Sequence, residues 1–222
     1  MSKKRGIRVG QAIDFGTYRQ GRFSAKLERR LGEVEKEAAD YTLAPIRWRV
    51  LQVIPSQNSA LLIAKKCLAS RVFHDSSSCP TWEKSALRLW LNSEFFKEAF
   101  SPKEQAMILE HQVPNGPEED CRLGKDGGPA TSDRIFLLSS REARDYFKDV
   151  VDRRCSLTLL AKHEGALSDP QGDCCWWLRS PGENPDTVSF VSYGGSYSYD
   201  KEATFQGISV RPALWVNYQE LV

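Results

Sequence analysis

The sequence predicts an α+β fold with an antiparallel sheet, for three reasons. Helical patterns are concentrated in the middle of the chain. Short apolar runs, separated by turn residues, occupy both ends. After Phe147 the helical signal stops, and short strands with glycine-rich turns are predicted as far as the C-terminus. A length of 222 residues, 41% of them hydrophobic, suits a single domain spanning residues 1–222.

Strands are predicted on both sides of a charged segment near the N-terminus. Ile13–Tyr18 alternates apolar and polar residues, as a half-buried strand does. The charged segment Ser24–Tyr41 has apolar residues at helical spacing, which predicts a helix packed along one narrow edge. Ile46–Ile54 and Ala60–Ala64 predict a hairpin, because the residues between them have turn chemistry.

The middle of the chain carries the helix signals. Trp82–Leu91 places large apolar residues on one face, and Asn92 is expected to end or kink this helix before a short continuation, Glu94–Phe100. Two capping boxes mark further helix starts, because a serine and a glutamate three residues later can each satisfy a free backbone N–H. These pairs are Ser101 with Glu104 and Ser139 with Glu142.

The composition argues against several classes of protein. A net charge of +2 does not indicate binding to nucleic acid or to a membrane. No apolar run is long enough to cross a bilayer, and the polar start does not resemble a signal peptide, so the expected location is the cytoplasm. In that reducing compartment the six cysteines are expected to be free thiols. Neither they nor the three histidines show metal-site spacing, so we expect no metal and no cofactor.

Sequence motifs of common enzymes are absent. The chain contains no phosphate-binding loop, dinucleotide fingerprint, nucleophile elbow or zinc-protease helix motif. His74 and His163 each stand beside an acid, but adjacent residues are poor indicators of a catalytic dyad. We therefore predict no catalytic residue, which weakens the case for an enzyme without closing it.

Two blocks near the C-terminus each place an arginine inside an apparent core strand. They are WWLRSPG (Trp176–Gly182) and GISVRPALW (Gly207–Trp215). They are predicted to be neighbouring strands that frame a long loop, Glu183–Gln206. A buried arginine needs an anion or several carbonyl groups as partners. We interpret Arg179 and Arg211 as structural residues that tie the loop to the sheet, the alternative being bidentate binding of a ligand carboxylate or phosphate.

The loop between these blocks is the predicted contact surface. Its tyrosine, serine and glycine content is typical of recognition loops, although ordinary hairpins share it. Adjacent residues on a strand face opposite sides, so we assign Trp176 to the core and Trp177 to the ligand. The predicted ligand-contacting residues are Trp177, Asn184, Asp186, Tyr193, Tyr197, Tyr199 and Asp200.

Read in order, the motifs of this chain resemble a bacterial family, domain of unknown function 6273. The motifs are IDFGTYRQ (Ile13–Gln20), PIRWRVL (Pro45–Leu51), ALLIAK (Ala60–Lys65), TWEKSALRLWLN (Thr81–Asn92), FLLS (Phe136–Ser139), WWLRSPG and VRPALW. The resemblance covers nearly the whole chain. It implies that residues 21–44 are a charged helical insertion between two motifs that usually stand closer together.

The last two motifs are also similar to the ends of C-type-lectin-like domains. These include the formylglycine-generating branch and the variable proteins of diversity-generating retroelements. The resemblance implies a C-type-lectin-like domain with short antiparallel strands, central helices and a long C-terminal loop. Fold does not determine function, so this likeness gives only an expectation.

Three functions follow from these observations. The first is a non-enzymatic binding module whose C-terminal loop contacts a protein or a glycan, including a version diversified by a retroelement. The second is an enzyme related to the formylglycine-generating branch, which would involve copper at Cys174 and Cys175. Neighbours on a strand point apart, however, and a copper pair needs both sulfur atoms on one ion. The third is a purely structural or regulatory domain, and the oligomeric state is left open.

Overall fold

The computed structural model describes residues 6–20, 42–76, 81–120 and 122–221. The predicted helix Ser24–Tyr41 lies outside these residues, as do Cys79 and Cys121. The predicted insertion, residues 21–44, extends two residues too far at its C-terminal end. Leu43 and Ala44 are part of a strand, because they pair with Arg19 and Tyr18 of the preceding strand.

The described residues form two main sheets. In chain order the strands are β1 (Ala12–Arg19), β2 (Leu43–Ile54), β3 (Ser59–Ala64), β4 (Ala69–Ser70), β5 (Ile108–Leu109), β6 (His111–Val113), β7 (Thr131–Asp133), β8 (Ile135–Phe136), β9 (Trp176–Pro181), β10 (Thr187–Val191), β11 (Tyr197–Glu202), β12 (Ser209–Val210) and β13 (Ala213–Asn217). The larger sheet has the order β1-β2-β3-β13-β5, with β8 also paired to β13. The smaller has the order β11-β10-β9-β12-β4, and β6 pairs with β7 alone.

Most strand pairs are antiparallel, and short helices lie between the strands, so the predicted α+β class is confirmed. The pairing of β12 with β9 is parallel. The helices are α1 (Ala86–Trp90), which continues as a wider π-helical turn (Leu91–Phe95), α2 (Phe96–Ala99), α3 (Pro102–Met107), α4 (Ser140–Tyr146), α5 (Val150–Arg153) and α6 (Leu159–His163).

The hairpin of β2 and β3 forms where the turn residues predicted it. Pro55–Gln57 makes a single helical turn, and Asn58 takes the left-handed backbone conformation that asparagine tolerates. Ile46, Trp48 and Val50 share the buried face of β2. The Trp48 indole N–H donates a hydrogen bond to the Phe15 carbonyl oxygen at 2.7 Å, which joins this hairpin to β1.

Both predicted capping boxes are present. Ser101 opens α3 and Ser139 opens α4, and in each case the carboxylate of the glutamate three residues later accepts a hydrogen bond from the serine N–H. The first helix begins later than predicted, because Ser85 provides its cap by accepting from the Arg88 N–H at 3.1 Å. Caps of this kind satisfy backbone N–H groups that a short helix cannot pair internally.

The prediction that helices stop after Phe147 is wrong. α5 and α6 follow, each shorter than two turns, so they show too few apolar positions for a periodic pattern. Their start signals are polar caps: the side chains of Asp149 and Thr158 accept from the N–H groups three residues on. In the described part of the chain, no helix is long and apolar enough to cross a membrane.

The block GISVRPALW divides between the two sheets. Its first part forms β12, beside β9, and its last part forms β13, in the larger sheet. The two blocks are therefore neighbours as predicted only through β9 and β12. Arg211 stands at the crossing and is nearly buried. The cores of both sheets meet here and form one continuous apolar cluster.

Candidate functional site

The C-terminal segment that was predicted to be one long exposed loop is mostly strand. Glu183–Gln206 contains β10 and β11, which pair with each other and, through β10, with β9. The apolar residues Val188, Phe190 and Val191 make β10 a central strand that is buried throughout. The loop prediction is wrong because it rested on the glycine, serine and tyrosine content of the whole segment, whereas β10 (TVSFV) is mostly apolar and β-branched and pairs with both neighbours. Three short turns remain partly exposed, at residues 183–186, 192–196 and 203–206.

Arg179, on β9, is buried and surrounded by acceptors. Its guanidinium donates to the carbonyl oxygens of Pro114 and Leu137, at 3.1 and 2.8 Å, and pairs with Glu119 at 3.2 Å. Glu142, the capping residue of α4, is a second carboxylate partner. Each N–H of the fork has an acceptor nearby, so this arginine joins β9 to α4 and to the chain segment before β7. These are the partners expected of a structural arginine.

Arg211 has a different set of partners. It donates to the carbonyl oxygens of Ala64 and Arg153, at 3.0 and 3.3 Å. Its guanidinium lies between the rings of Phe147 and Trp176, 5.1 and 4.9 Å from their centroids. Stacking of this kind stabilises a cation that is withdrawn from water. No described acid pairs with this arginine. Its described hydrogen-bond partners are carbonyl groups, which is one of the two arrangements expected of a structural arginine.

Both tryptophans of β9 are fully buried, which corrects the prediction that Trp177 contacts a ligand. The Trp177 indole N–H donates to the Arg71 carbonyl oxygen at 2.9 Å, and its ring packs edge-on against Phe73 and Phe190. Trp176 lies on the opposite face, as alternation requires. Both faces of β9 are covered by other elements, so neither side of this strand reaches the surface.

The remaining predicted contact residues are separated by the structure. Asn184 is exposed and Asp186 half-buried in the turn before β10, whereas Tyr193 is exposed in the turn after it. A five-residue strand such as β10 spans about 17 Å, so these turns form two separate surfaces. Tyr199 is buried under the Arg122 guanidinium, which corrects its assignment to the exposed surface.

Tyr197 and Asp200 lie on β11, at the edge of the smaller sheet. Tyr197 is half-buried beneath the guanidinium of Arg153, 4.5 Å from its ring centroid, while Asp200 is exposed. Of the predicted set, Asn184 lines a cleft, and Asp186 lies two residues further along the same turn.

An open cleft of about 180 Å³ lies beside Asn184, and we call it the Asn184 cleft. Its lining combines polar groups of both kinds with two proline rings. The polar lining residues are Thr81, Lys125, Asp126, Asn184 and Thr187, and the prolines are Pro181 and Pro185. Donors, acceptors and small apolar surfaces therefore converge on one concave space.

The walls of the Asn184 cleft are held by local hydrogen bonds. The Lys125 ammonium group donates to the carbonyl oxygens of Gly182 and Glu183, joining the two walls. Asp120 is buried and accepts from the N–H groups of Arg122 and Leu123, at 3.1 Å each, which orders the chain leading to Lys125. The cleft is therefore preformed. The sequence gives no signal of its second wall, because residues 115–129 are rich in glycine, proline and acids and show no helix or strand pattern.

A second cavity, of about 430 Å³, lies where β2 begins and β3 ends, and we call it the cationic pocket. Arg47, Lys65 and Lys66 line it together with Gln20 and Ser156, and no acid is among the lining residues in the described part of the chain. Arg47 and Lys65 lie close together because the Lys65 N–H, just after β3, donates a hydrogen bond to the Arg47 carbonyl oxygen of β2 at 2.8 Å. In the sequence, Lys65 and Lys66 are simply two adjacent lysines, and nothing in the sequence indicates the pocket.

Three buried cysteines form a cluster behind this pocket. The sulfur atoms of Cys67 and Cys155 are 3.5 Å apart, and the Cys174 thiol donates to the Cys155 carbonyl oxygen at 3.1 Å. The four described cysteines are free thiols. Cys175 has different neighbours from Cys174, namely the backbone of Tyr193 and the charge of Lys201. Burial raises the pKa of Cys175, and these two neighbours oppose that rise only in part. The described residues contain no group of three or more histidine, cysteine or acidic side chains arranged to hold a metal ion.

Comparison with protein-family models shows which family the chain belongs to. Residues 57–218 match the family described as "Domain of unknown function (DUF6273)", which is more than half of the chain. The chain belongs to the DUF6273 family. The match begins in the turn before β3 and ends just after β13, so the DUF6273 region contains the Asn184 cleft, the cysteine cluster and both buried arginines. The motifs Ile13–Gln20 and Pro45–Leu51 lie before it. Neither the curated proteins nor the solved structures gave a significant match to this DUF6273 chain.

Proposed function

We propose that this DUF6273 domain is a non-enzymatic recognition module whose contact site is the Asn184 cleft. The observation that carries the proposal is that three polar side chains line one preformed concave space: the exposed amide of Asn184, the exposed carboxylate of Asp126 and the ammonium group of Lys125. Ligand sites combine a few placed polar groups with apolar walls in this way. Preformed walls also lower the entropic cost of binding.

The size and chemistry of the Asn184 cleft favour a sugar residue of a glycan. Pockets for drug-sized ligands have volumes of about 300–1,000 Å³, so a cleft of about 180 Å³ suits one ring or one side chain. Each sugar hydroxyl both donates and accepts. The Asn184 amide can do both and the Asp126 carboxylate accepts, so together they match neighbouring hydroxyls. Pro181 and Pro185 offer apolar surfaces for the C–H side of the ring.

The Asn184→Ala variant is expected to bind a glycan about tenfold more weakly than the wild type, because it loses one or two hydrogen bonds worth about 1.4 kcal/mol in total. Its unfolding free energy should change by about 0.5 kcal/mol or less, as for other exposed positions. A glycan array would identify the sugar, and titration calorimetry would measure the affinity.

Tyr193→Ala is the matched control, because Tyr193 is also exposed but lies at the other end of β10. It should bind like the wild type. If Tyr193→Ala loses binding and Asn184→Ala does not, the contact surface is the opposite turn. If no glycan binds at all, the sugar assignment is wrong and a protein partner takes its place.

Two finer proposals accompany this function. The first is that the domain is C-type-lectin-like, which is supported by the strands β9 and β12 standing side by side and by β13 returning to the sheet that holds β1. The second is that a retroelement diversifies the C-terminal segment. Substitutions among close copies should then concentrate at exposed positions such as Asn184 and Tyr193, beside a reverse transcriptase gene and a template repeat. Genomes that lack both elements would exclude it.

The two alternatives have weaker support. A copper enzyme of the formylglycine-generating kind would use Cys174 and Cys175 together, yet the Cys174 thiol bonds to Cys155 while Cys175 borders Tyr193 and Lys201. A purely structural role is supported by the burial of two predicted contact residues, Trp177 and Tyr199. It would leave the Asn184 cleft without a ligand.

A second candidate function is the binding of an anion in the cationic pocket. Three cations around one cavity, with no acid among its described lining residues, create a positive potential that attracts phosphate or carboxylate groups. The cost of holding like charges together is removed when an anion binds. This observation is independent of the Asn184 cleft, so the two sites can be tested separately.

Inorganic phosphate is expected to raise the melting temperature of the wild type by several degrees, since saturation at a hundred times Kd adds about 2.7 kcal/mol. The double variant Lys65→Gln/Lys66→Gln should lose most of this shift. Lys97→Gln/Lys148→Gln removes the same charge from exposed positions elsewhere and should keep it. Equal shifts in both variants would show that phosphate acts through overall charge alone.

A further inference from the structure

The cysteine cluster behind the cationic pocket has the geometry of a thiol pair close to bond formation. The Cys67 and Cys155 sulfur atoms are 3.5 Å apart, and both side chains are almost completely buried. The two residues stand 88 positions apart in the chain, so their contact is a product of the fold. From this juxtaposition we propose that Cys67 and Cys155 form a reversible disulfide when the protein meets a hydroperoxide.

The backbone holds the two cysteines in place. The Cys67 N–H donates to the Ser156 carbonyl oxygen at 2.9 Å, and the Thr158 N–H donates to the Cys67 carbonyl oxygen at 3.0 Å. The segments around the two thiols are therefore joined by a parallel β-bridge between Cys67 and Leu157. A move of about 1.5 Å brings the sulfur atoms to the disulfide bond length of about 2.05 Å, which side-chain rotation can supply.

Cys155 is the nucleophile of the pair. Burial alone raises the pKa of a thiol, but hydrogen bonds from Cys174 and Cys67 and the charge of Arg211 lower the pKa of Cys155. The pKa of Cys67 is raised, first by burial and then by its hydrogen bond to Cys155. Cys155 therefore loses its proton first, and Cys67 is the thiol that completes the bond.

The chemistry balances with one hydroperoxide. The Cys155 sulfur attacks the terminal peroxide oxygen; the O–O bond breaks, a sulfenic acid forms, and the departing oxygen takes the thiol proton to leave as water or an alcohol. The Cys67 sulfur then attacks the Cys155 sulfur. The S–O bond breaks, the S–S bond forms, and the hydroxyl group leaves as water with the Cys67 proton. Two thiols lose two electrons and the peroxide gains them.

The cationic pocket provides the approach. Lys66, Leu68 and Ser156 line it and are the chain neighbours of the two cysteines. The Cys155 sulfur also lies 3.5 Å from the carbonyl oxygen of Lys65, another lining residue. The strand segments that carry the thiols are thus one wall of the pocket, and a molecule as small as hydrogen peroxide has a short path to them. Disulfide formation would tie this wall together.

The test uses the whole folded chain. A thiol titration in denaturant should count six thiols before treatment and four after hydrogen peroxide treatment of the folded protein, and dithiothreitol should restore six. Trypsin separates the cluster cleanly, because Cys67–Arg71, Cys155–Lys162 and His163–Arg179 are three different peptides. Mass spectrometry without reduction should find the first two joined, with the loss of two hydrogens.

Cys175→Ser is the matched control, since it removes a buried thiol outside the pair and should still lose two thiols to the same link. Cys67→Ser should lose the link. If this variant fails to fold, the peptide map of the wild type decides alone. A link from Cys155 to the Cys174 peptide, further oxidation of Cys155 without any link, or thiol loss only in denaturant would each overturn the proposal.

Discussion

Arg179→Ala is expected to lower the free energy of unfolding by about 3–5 kcal/mol, the cost of removing one partner from a buried ion pair. The variant leaves Glu119 and Glu142 without their cation and leaves the carbonyl groups of Pro114 and Leu137 without a donor. Since domains are stable by about 5–15 kcal/mol in total, this loss is a large share of the fold's stability. Urea denaturation at neutral pH, followed by tryptophan fluorescence, measures it.

Arg134→Ala is the control for this prediction. Arg134 pairs with Glu110 at 3.3 Å, but both side chains are about half exposed. A surface pair of this kind contributes about 0–1 kcal/mol, because water screens it. If Arg179→Ala costs no more than Arg134→Ala, the guanidinium is not structural, and the alternative that it serves to bind a ligand carboxylate or phosphate regains support.

Trp177→Ala is expected to cost about 3–5 kcal/mol, as large-to-small changes of buried aromatic residues do. The substitution opens a cavity against Phe73 and Phe190 and leaves the Arg71 carbonyl oxygen without its donor. Tyr193→Ala, at an exposed position, should cost about 0.5 kcal/mol. Chemical denaturation of the two variants in parallel gives the comparison.

The same pair of variants separates scaffold from surface. Material of Trp177→Ala that remains folded should bind a ligand as the wild type does, because the ring is fully buried and separated from solvent. A Trp177→Ala variant as stable as Tyr193→Ala would mean that the ring is not in the core. It would also restore the earlier assignment of Trp177 to the contact surface.

Much of the local structure follows from the sequence. The two capping boxes and the turn between β2 and β3 are present as predicted, because each depends on residues a few positions apart. The prediction for the C-terminal segment failed for the opposite reason. The segment was judged by its overall glycine, serine and tyrosine content, whereas β10 (TVSFV) contains one serine, no glycine and no tyrosine, and it is a strand paired with β9 and β11 on either side.

The candidate sites required the tertiary structure. Asn184 was selected from the composition of the surrounding segment alone. Its cleft exists because the fold places Lys125 and Asp126, nearly sixty residues earlier in the chain, beside it. The cationic pocket and the thiol pair have no sequence signal, since Cys67 and Cys155 are 88 positions apart and show no paired spacing. No single sequence records such encounters, because spacing along the chain predicts contacts only within an element or a turn.

The sequence by itself determined the α+β class, the two capped helix starts, the hairpin of β2 and β3 and the need for buried partners at Arg179 and Arg211, because these follow from local propensity and from the cost of burying charge. The tertiary structure alone decided which residues stay at the surface. Packing on both faces of β9 buried both tryptophans, and strand length placed Asn184 and Tyr193 at opposite ends of β10. Exposure is a property of everything packed around a residue, and pairing between distant segments sets it.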